Sequence, residues 1–328
     1  MQLQTNNIIA DLERWHKHYQ KTLFREELAK NTISLYNTTI NKFIVFIEDN
    51  HNTKNITDIN SSIIIDFIDE LEFKYYEKTN KRYSANTKGL YFIALKSFFE
   101  HIELQSDMIN DTQFTFNIKK EAFKKRGRKA KKNTAFKHLT DAEITQITSY
   151  FEIKLLNKPK HYDYIYYLAF KIMLYGGLRV SEVLNLKLDN IIIKTNEDNI
   201  QIAELVLETT KSGEEQYVPI KLEHIQEELL YIKHKVDSLG LNDNVYIISN
   251  PSFSSKMKRN NLWRKFAFIY KQLDINKQGL HIIRHTSAMR LLKKTNDISL
   301  VQKLLRHSNI ATTGIYAKRH HSDLEKVI

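Results

Sequence analysis

The chain has 328 residues, no cysteine, 42% hydrophobic residues and a formal net charge of +12. The lack of cysteine excludes disulfides, thiolate metal sites and a cysteine nucleophile, and the apolar content excludes a wholly disordered chain. Only 8 glycines and 3 prolines are present, which favours a mainly helical protein, and the length favours two domains. The positive charge points to a polyanionic partner, with a basic protein that lacks such a partner as the alternative.

Four amphipathic helices are predicted in the first 117 residues. Apolar residues recur at helical spacing over residues 8–24, after Asn31-Thr32, after Asn60-Ser61 and after Ser84. With short connections, these helices predict a compact bundle over residues 1–117 whose apolar stripes form its core. No signal peptide and no apolar run of about 20 residues is recognisable, so a cytoplasmic protein without a membrane segment is expected.

A strongly basic segment follows the bundle. Nine basic residues and one acid lie between residues 119 and 132, which gives a local charge of 9 − 1 = +8. Such a run repels itself and is extended unless an anion neutralises it. We predict an interdomain linker over residues 118–137 that lies against phosphates, the alternative being a solvated linker. Its basic residues are Lys119, Lys120, Lys124, Lys125, Arg126, Arg128, Lys129, Lys131 and Lys132.

A second, α-rich domain is predicted over residues 138–328. Thr140 and Glu143 have the spacing of a capping box at a helix start. Short apolar runs then indicate three strands, at residues 191–193, 205–207 and 217–220. The last two flank the turn that contains Lys211, so they predict a hairpin. Helical periodicity returns at Leu222 and continues to the C-terminus, with an interruption at residues 249–251.

The segment around Arg179 is the first candidate for chemistry. Gly176 and Gly177 permit a sharp turn after an apolar helix, and Ser181 is a candidate cap for the next helix. A buried arginine needs an anionic partner. That partner is either Glu182, in an internal ion pair, or a phosphate held by the guanidinium group.

Two further groups of polar residues follow. His281, Arg284 and His285 share one helical face, and a His-Arg pair directed at a phosphate fits them better than a metal site. His307 precedes Tyr316 by nine residues across a polar connector, a spacing that is compatible with either a structural or a catalytic role. Lys211 is either an exposed hairpin residue or a functional one that reaches into a nucleic-acid groove or donates a proton to a leaving oxygen.

Several motifs together resemble the tyrosine recombinase (phage integrase) family in order and spacing. They are Gly177-Leu178-Arg179-Val180-Ser181-Glu182, His281-Ile282-Ile283-Arg284-His285-Thr286, Leu305-Arg306-His307-Ser308 and Tyr316. Lys211 is similar to the hairpin lysine of the family. In the first domain, Asn31-Thr32 with Tyr36, and Asn86-Thr87 with Phe98-Phe99, resemble the family's core-DNA-binding domain. Arg306 is a departure, because the family usually has glycine there, and it adds a possible phosphate contact.

The resemblance implies a fold and a mechanism. The fold is mainly α, with an N-terminal four-helix (SAM-like) bundle and an α-rich catalytic domain that carries a small antiparallel three-stranded sheet, an Xer-like arrangement without an additional arm-binding domain. Tyr316 is expected to attack a DNA phosphodiester and form a 3′-phosphotyrosyl bond. His281 assists loss of the phenol proton, and Lys211 protonates the leaving 5′ oxygen. The remaining roles are phosphate stabilisation by Arg179, Arg284 and His307, and orientation of neighbours by Glu182 and His285.

The same resemblance implies the partners. We expect double-stranded DNA with paired sites, a homotetramer on DNA formed by exchange of the C-terminal tail, and a nucleoid-associated, cytoplasmic location. No cofactor, metal or ATP is expected, and the chain has no GxxxxGK[ST] loop. The alternatives are a type IB topoisomerase and a DNA-binding regulator without catalysis. Chromosome dimer resolution and mobile-element integration or excision are not distinguished.

Overall fold

The computed structural model describes residues 2–3, 7–50, 53–106, 114–118, 138–207 and 215–306. The chain separates into two compact units, Met1–Lys132 and Asn133–Ile328. All nine basic residues of the predicted linker lie outside the described residues. Within the described ranges, every helix is too short or too polar to cross a membrane.

The first unit contains four long helices within its described residues. The side chains of Asn7, Asn60 and Ser84 accept backbone N–H hydrogen bonds at three helix starts, as these residue types do at N-caps. The helical spacing of apolar residues places Trp15 and Phe98 in a fully buried core. The predicted bundle is confirmed, with α1 at Ile8–Arg25, α2 at Lys30–Asn50, α3 at Ser61–Thr79 and α4 at Ala85–Gln105.

The second unit is organised around one buried helix, α6 (His161–Gly176), which packs against the helices before and after it in the chain. The predicted capping box is present, because Thr140 N donates to Glu143 Oε2 at 2.7 Å and Glu143 N donates to Thr140 Oγ1 at 3.2 Å. The other described helices are α5 (Asp141–Leu156), α7 (Val180–Asn185), α8 (Gln226–Ser238), α9 (Arg259–Gln272), α10 (His281–Thr295) and α11 (Ile298–Leu305).

A three-stranded antiparallel sheet covers one side of α6. Its strands are β1 (Ile191–Thr195), β2 (Gln201–Leu207) and β3 (Gln216–Lys221), in the order β1-β2-β3. Ala203 at the centre pairs with Ile193 on one side and Ile220 on the other. Alternate residues of β2 are buried, as expected for a sheet with one face on the core. The predicted sheet is confirmed, whereas Lys211 lies outside the described residues.

The prediction of helix from Leu222 onward is wrong between α8 and α9. Val245, Ile247 and Ile248 are buried, and the run pairs with residues 186–188 through an isolated antiparallel β-bridge. Leu188 N donates to Val245 O at 2.9 Å, and Ile247 N donates to Leu186 O at 3.1 Å. Valine and isoleucine favour extended backbone, so this apolar run is buried as a short extended segment. The interruption is therefore longer than the predicted residues 249–251.

Candidate active site

A sharp turn between α6 and α7 places Arg179. Gly177 ends α6 with φ of 61°, a left-handed conformation that glycine adopts without steric cost. A Cβ atom on Gly177 would lie 3.3 Å from both Leu304 Cγ and Ser287 Oγ, so the turn is packed closely against α10 and α11. The predicted glycine turn is confirmed, and it brings Arg179 next to the helices that carry the other candidate residues.

Glu182 fixes Arg179 at the start of α7. Arg179 N donates to Glu182 Oε2 at 2.6 Å, and Arg179 Nη1 donates to Glu182 Oε1 at 2.7 Å. Burial opposes ionisation of Glu182, but Arg306 and Arg179 outweigh it and keep the pKa of this carboxyl below its usual value. The Arg179 side chain is still 38% exposed. An internal ion pair and contact with an external phosphate are therefore compatible.

The prediction that Ser181 caps α7 is wrong. Arg179 occupies the N-cap position, with φ of −72° and ψ of 151°, and Ser181 is the second residue of the helix. The Glu182 carboxylate accepts the Arg179 N–H, and Ser181, two residues after the N-cap position, lies too far into the helix to cap it. Glu182 thus supports α7 and orients Arg179 at the same time.

Arg284 joins three segments of the second unit. Its side chain is 5% exposed. Nη1 donates to Gly177 O at 2.6 Å, and Nη2 donates to Leu305 O. One guanidinium group from α10 therefore holds the turn that leads to Arg179 and the end of the helix that leads to His307. The Nη1 atom is also 3.7 Å from Glu182 Oε2.

His281 lies at the start of α10 and is exposed on one side. Partial burial lowers its pKa, and the nearby guanidinium groups of Arg259, Arg284 and Arg179 lower it further. A histidine with a lowered pKa is neutral at pH 7 and can accept a proton. His285, one turn later, is partly buried, and the centroids of the two histidine rings are 6.3 Å apart.

Arg259 is a residue that sequence analysis missed. It is the first residue of α9 and acts electrostatically on His281 across more than twenty residues of chain. The first turn of α9 contains no acidic residue that could offset the positive charge of Arg259. In the sequence, Arg259 is one of 50 lysines and arginines, and no local pattern distinguishes it from the others.

Arg306 does not have the position expected of a phosphate contact. It caps the C-terminus of α11 with φ of 52°, and its side chain is 7% exposed. Nη2 donates to Glu182 Oε2 at 2.6 Å, and Nη1 donates to Leu304 O at 2.9 Å. The backbone path into His307 is thus a left-handed cap, and the guanidinium group faces Glu182 instead of solvent.

The structure therefore brings together five predicted residues. Arg179, Glu182 and Arg284 belong to one network, and His281 and His285 lie on the helix that carries Arg284. Lys211, His307 and Tyr316 lie outside the described residues. Across the described part of the chain, there is no cluster of three or more histidine, aspartate or glutamate side chains that could hold a metal ion.

Comparisons with known proteins identify both units. A family model described as "Phage integrase family" matches residues 137–323, and a model described as "Phage integrase, N-terminal SAM-like domain" matches residues 16–105. Tyrosine recombinase XerA of Pyrococcus horikoshii is 26% identical over 313 residues, which cover 93% of this chain and 95% of that protein.

Two solved structures show the same fold. The XerH site-specific recombinase bound to difH substrate, a pre-cleavage complex, superposes with a TM-score of 0.76 at 17% identity, over 98% of this chain and 97% of that one. A lambda integrase tetramer bound to a Holliday junction superposes with a TM-score of 0.57 at 18% identity, over 91% of this chain and 77% of that one.

Proposed function

The chain belongs to the phage integrase family and is a site-specific tyrosine recombinase, and we propose that Tyr316 cuts DNA by forming a 3′-phosphotyrosyl bond. The observation that carries this proposal is the Arg284 network. Arg284 holds Gly177, in the turn that leads to Arg179, and Leu305, two residues before His307. Two arginines and a neutral histidine at one site suit a phosphodiester and a nucleophile that must lose a proton.

The proposed reaction conserves the energy of the bond that is cut. The Tyr316 oxygen bonds to phosphorus while the bond from phosphorus to the 5′ oxygen breaks. His281 accepts the phenol proton, and Lys211 gives a proton to the departing oxygen. Attack by a 5′-hydroxyl of a second duplex reverses these steps and rejoins the strands. We therefore expect cleavage without ATP or a divalent metal.

Arg179 and Arg284 stabilise the transition state in this proposal. The pentacoordinate phosphorus carries more negative charge than the phosphodiester, so fixed cations stabilise it more than the ground state. Arg179 is oriented by Glu182, and Arg284 is held by two carbonyl groups, which means that neither side chain has to be ordered during the reaction. His307 donates a further hydrogen bond, and His285 supports the position of His281.

The proposed partner is double-stranded DNA with paired recombination sites. The basic segment that contains Lys124 and Arg128 would follow the phosphates, and binding should weaken steeply as salt rises. The lambda integrase tetramer on a Holliday junction supports a homotetramer as the active assembly, with exchange of the tail after Tyr316 between protomers. The reaction places the protein on chromosomal or mobile-element DNA in the cytoplasm. The topoisomerase and regulator alternatives are not supported by the recombinase relatives.

Covalent trapping tests this function and finds the target site. The purified protein is incubated with nicked duplexes that contain a randomised segment, in EDTA, and protein-linked strands are sequenced. The nick lets the short fragment with the free 5′-hydroxyl dissociate, which prevents rejoining, so adducts accumulate. We expect protein attached to 3′ phosphates at one enriched sequence. If no adduct forms with this library, and none forms with the genomic DNA on either side of the gene, the proposed function is contradicted.

The pH dependence of cleavage should report His281. The pKa of His281 is below the ordinary histidine value of 6.5, so the ring is neutral above that pH and becomes protonated as the pH falls through its lowered pKa. We expect cleavage to be constant near pH 7 and to fall in acid. At DNA concentrations below saturation, the cleavage rate reports the pKa of the free enzyme.

The variant His281→Gln tests whether His281 causes the fall in cleavage rate at low pH (the acid limb of the pH profile). It should cleave about 10²–10⁴-fold more slowly, the usual contribution of a general base, and it should lack the acid limb of wild type. His234→Gln, on the exposed surface of α8, is the matched control and should keep the wild-type profile. An unchanged acid limb in His281→Gln would assign the titration to another group.

A further inference from the structure

Glu182 is shared by several arginines. Its carboxylate accepts hydrogen bonds from the Arg179 backbone and side chain and from Arg306 Nη2, and it lies 3.7 Å from Arg284 Nη1. These four side chains carry three positive charges and one negative charge, a net charge of 3 − 1 = +2. Without Arg306, the same cluster would have a net charge of +1.

Arg306 occupies an unfavourable position for an arginine. Its φ of 52° lies in the left-handed region, which is unfavourable for a residue that has a Cβ atom. Its guanidinium group is buried, and within the described part of the chain its Nε atom has no hydrogen-bond partner. Burial of a charge with an unpaired donor is unfavourable unless a strong partner is present. Here the partner is the Glu182 carboxylate, 124 residues earlier in the chain.

We propose that Arg306 is a positioning residue that neutralises Glu182, so that Arg179 and Arg284 keep their positive charge for the reacting phosphate. This inference rests on the proposed function, because it assigns Arg306 a role in the same site. Glu182 is needed to orient Arg179, but an unbalanced carboxylate would also attract Arg284 and weaken its action on the phosphate. With Arg306 present, Glu182 orients Arg179 while the positive charge of Arg284 stays available to the phosphate.

The geometry explains why Arg284 is the side chain at risk. Its Nη1 atom is 2.6 Å from Gly177 O and 3.7 Å from Glu182 Oε2, so a small movement would exchange the carbonyl for the carboxylate. Arg306 Nη2 occupies that same carboxylate oxygen at 2.6 Å. Removal of Arg306 therefore opens Glu182 Oε2 to Arg284 and loosens the hold of Arg284 on the turn before Arg179.

A charge-compensation experiment tests the proposal. Single-turnover cleavage of the trapped DNA site is measured for Arg306→Gly, Arg306→Lys, Glu182→Gln and the double variant Arg306→Gly/Glu182→Gln. Arg306→Gly should cleave roughly 10–100-fold more slowly than wild type, because the transition state is stabilised less. Its affinity for DNA should change far less than its cleavage rate. Arg306→Lys keeps the charge and should retain most of the rate. The double variant restores a net charge of +2 and should cleave faster than Arg306→Gly, but more slowly than wild type, because glutamine offers Arg179 one oxygen acceptor instead of two.

Lys158→Gly is the matched control for the backbone. Lys158 also has a left-handed φ, of 52°, and its side chain is exposed between α5 and α6. Both glycine variants remove one positive charge and relieve one strained residue, so both should remain folded. A purely structural role for Arg306 would make the double variant slower than Arg306→Gly. That result, or a wild-type rate for Arg306→Gly, would overturn the proposal.

A second measurement separates this inference from the proposed function. Inorganic phosphate should raise the Tm of the wild-type protein by binding at the arginine cluster. The rise should be smaller for Arg306→Gly and should return in the double variant. If the wild type cuts no DNA, the proposed function fails. The Tm shifts of wild type, Arg306→Gly and the double variant can still be ranked, and the ranking decides whether Arg306 sets the positive charge available to a phosphate. Equal shifts in all variants would contradict its role.

Discussion

Tyr316→Phe should abolish strand cleavage and leave DNA binding intact. The substitution removes only the nucleophilic oxygen, so the covalent 3′-phosphotyrosyl bond cannot form. Loss of a catalytic nucleophile reduces rates by roughly 10⁴-fold or more. DNA affinity should change by less than about threefold, because the charged contacts to phosphate remain. Gel analysis of protein-linked DNA and a binding titration on the same duplex measure the two quantities.

Tyr162→Phe is the matched control for this experiment. Tyr162 is 41% exposed in the first turn of α6, and loss of its hydroxyl should leave the cleavage rate unchanged. Adducts of normal yield with Tyr316→Phe would show that another side chain is the nucleophile, and peptide mapping of the adduct would identify it. Loss of both cleavage and binding would instead point to a damaged fold, which the Tm of the variant would reveal.

Local signals in the sequence were sufficient to predict most helices and the sheet. The capping residues Asn60, Ser84 and Thr140 lie directly before the helices that they start, and a cap acts within three residues. The alternation of buried residues in β2 likewise depends only on the pleat of a strand. Each of these features depends on residues that are neighbours in the sequence, so the order of residue types is enough to predict it.

The contacts within the site depend on distant segments, and their details could not be predicted. The sequence predicts Arg306 as a further phosphate contact, but in the structure its guanidinium group donates to Glu182, 124 residues earlier in the chain. Arg259 affects His281 only because the fold of the second unit brings these two residues, 22 positions apart in the chain, near each other. The grouping of Arg179, His281 and Arg284 in one site was predicted from the order of the family motifs. Physical patterns alone left a metal-free phosphate site and internal ion pairs as alternatives.

Arg284 is expected to show the second large effect, on stability as well as on cleavage. Arg284→Ala leaves the carbonyl groups of Gly177 and Leu305 without the donors that now reach them. Each unsatisfied buried group costs about 1–3 kcal/mol, so with two such groups the free energy of unfolding should fall by roughly 2–6 kcal/mol. Cleavage should be lost, because the variant lacks one of the two arginines that stabilise the transition state. Denaturant unfolding and single-turnover cleavage provide both values.

Arg284→Lys separates the two roles of this side chain. Lysine keeps the positive charge but cannot bridge two carbonyl groups with a planar fork, so it should retain most of the stability and lose the fixed geometry. We expect cleavage to fall about 10²–10³-fold, the cost of one preorganised donor. Arg290→Lys, on the exposed face of the same helix, should match wild type in both measurements. A stable and fully active Arg284→Lys would mean that charge alone is required. The hydrogen bonds of Arg284 to the two carbonyl groups would then have no part in catalysis.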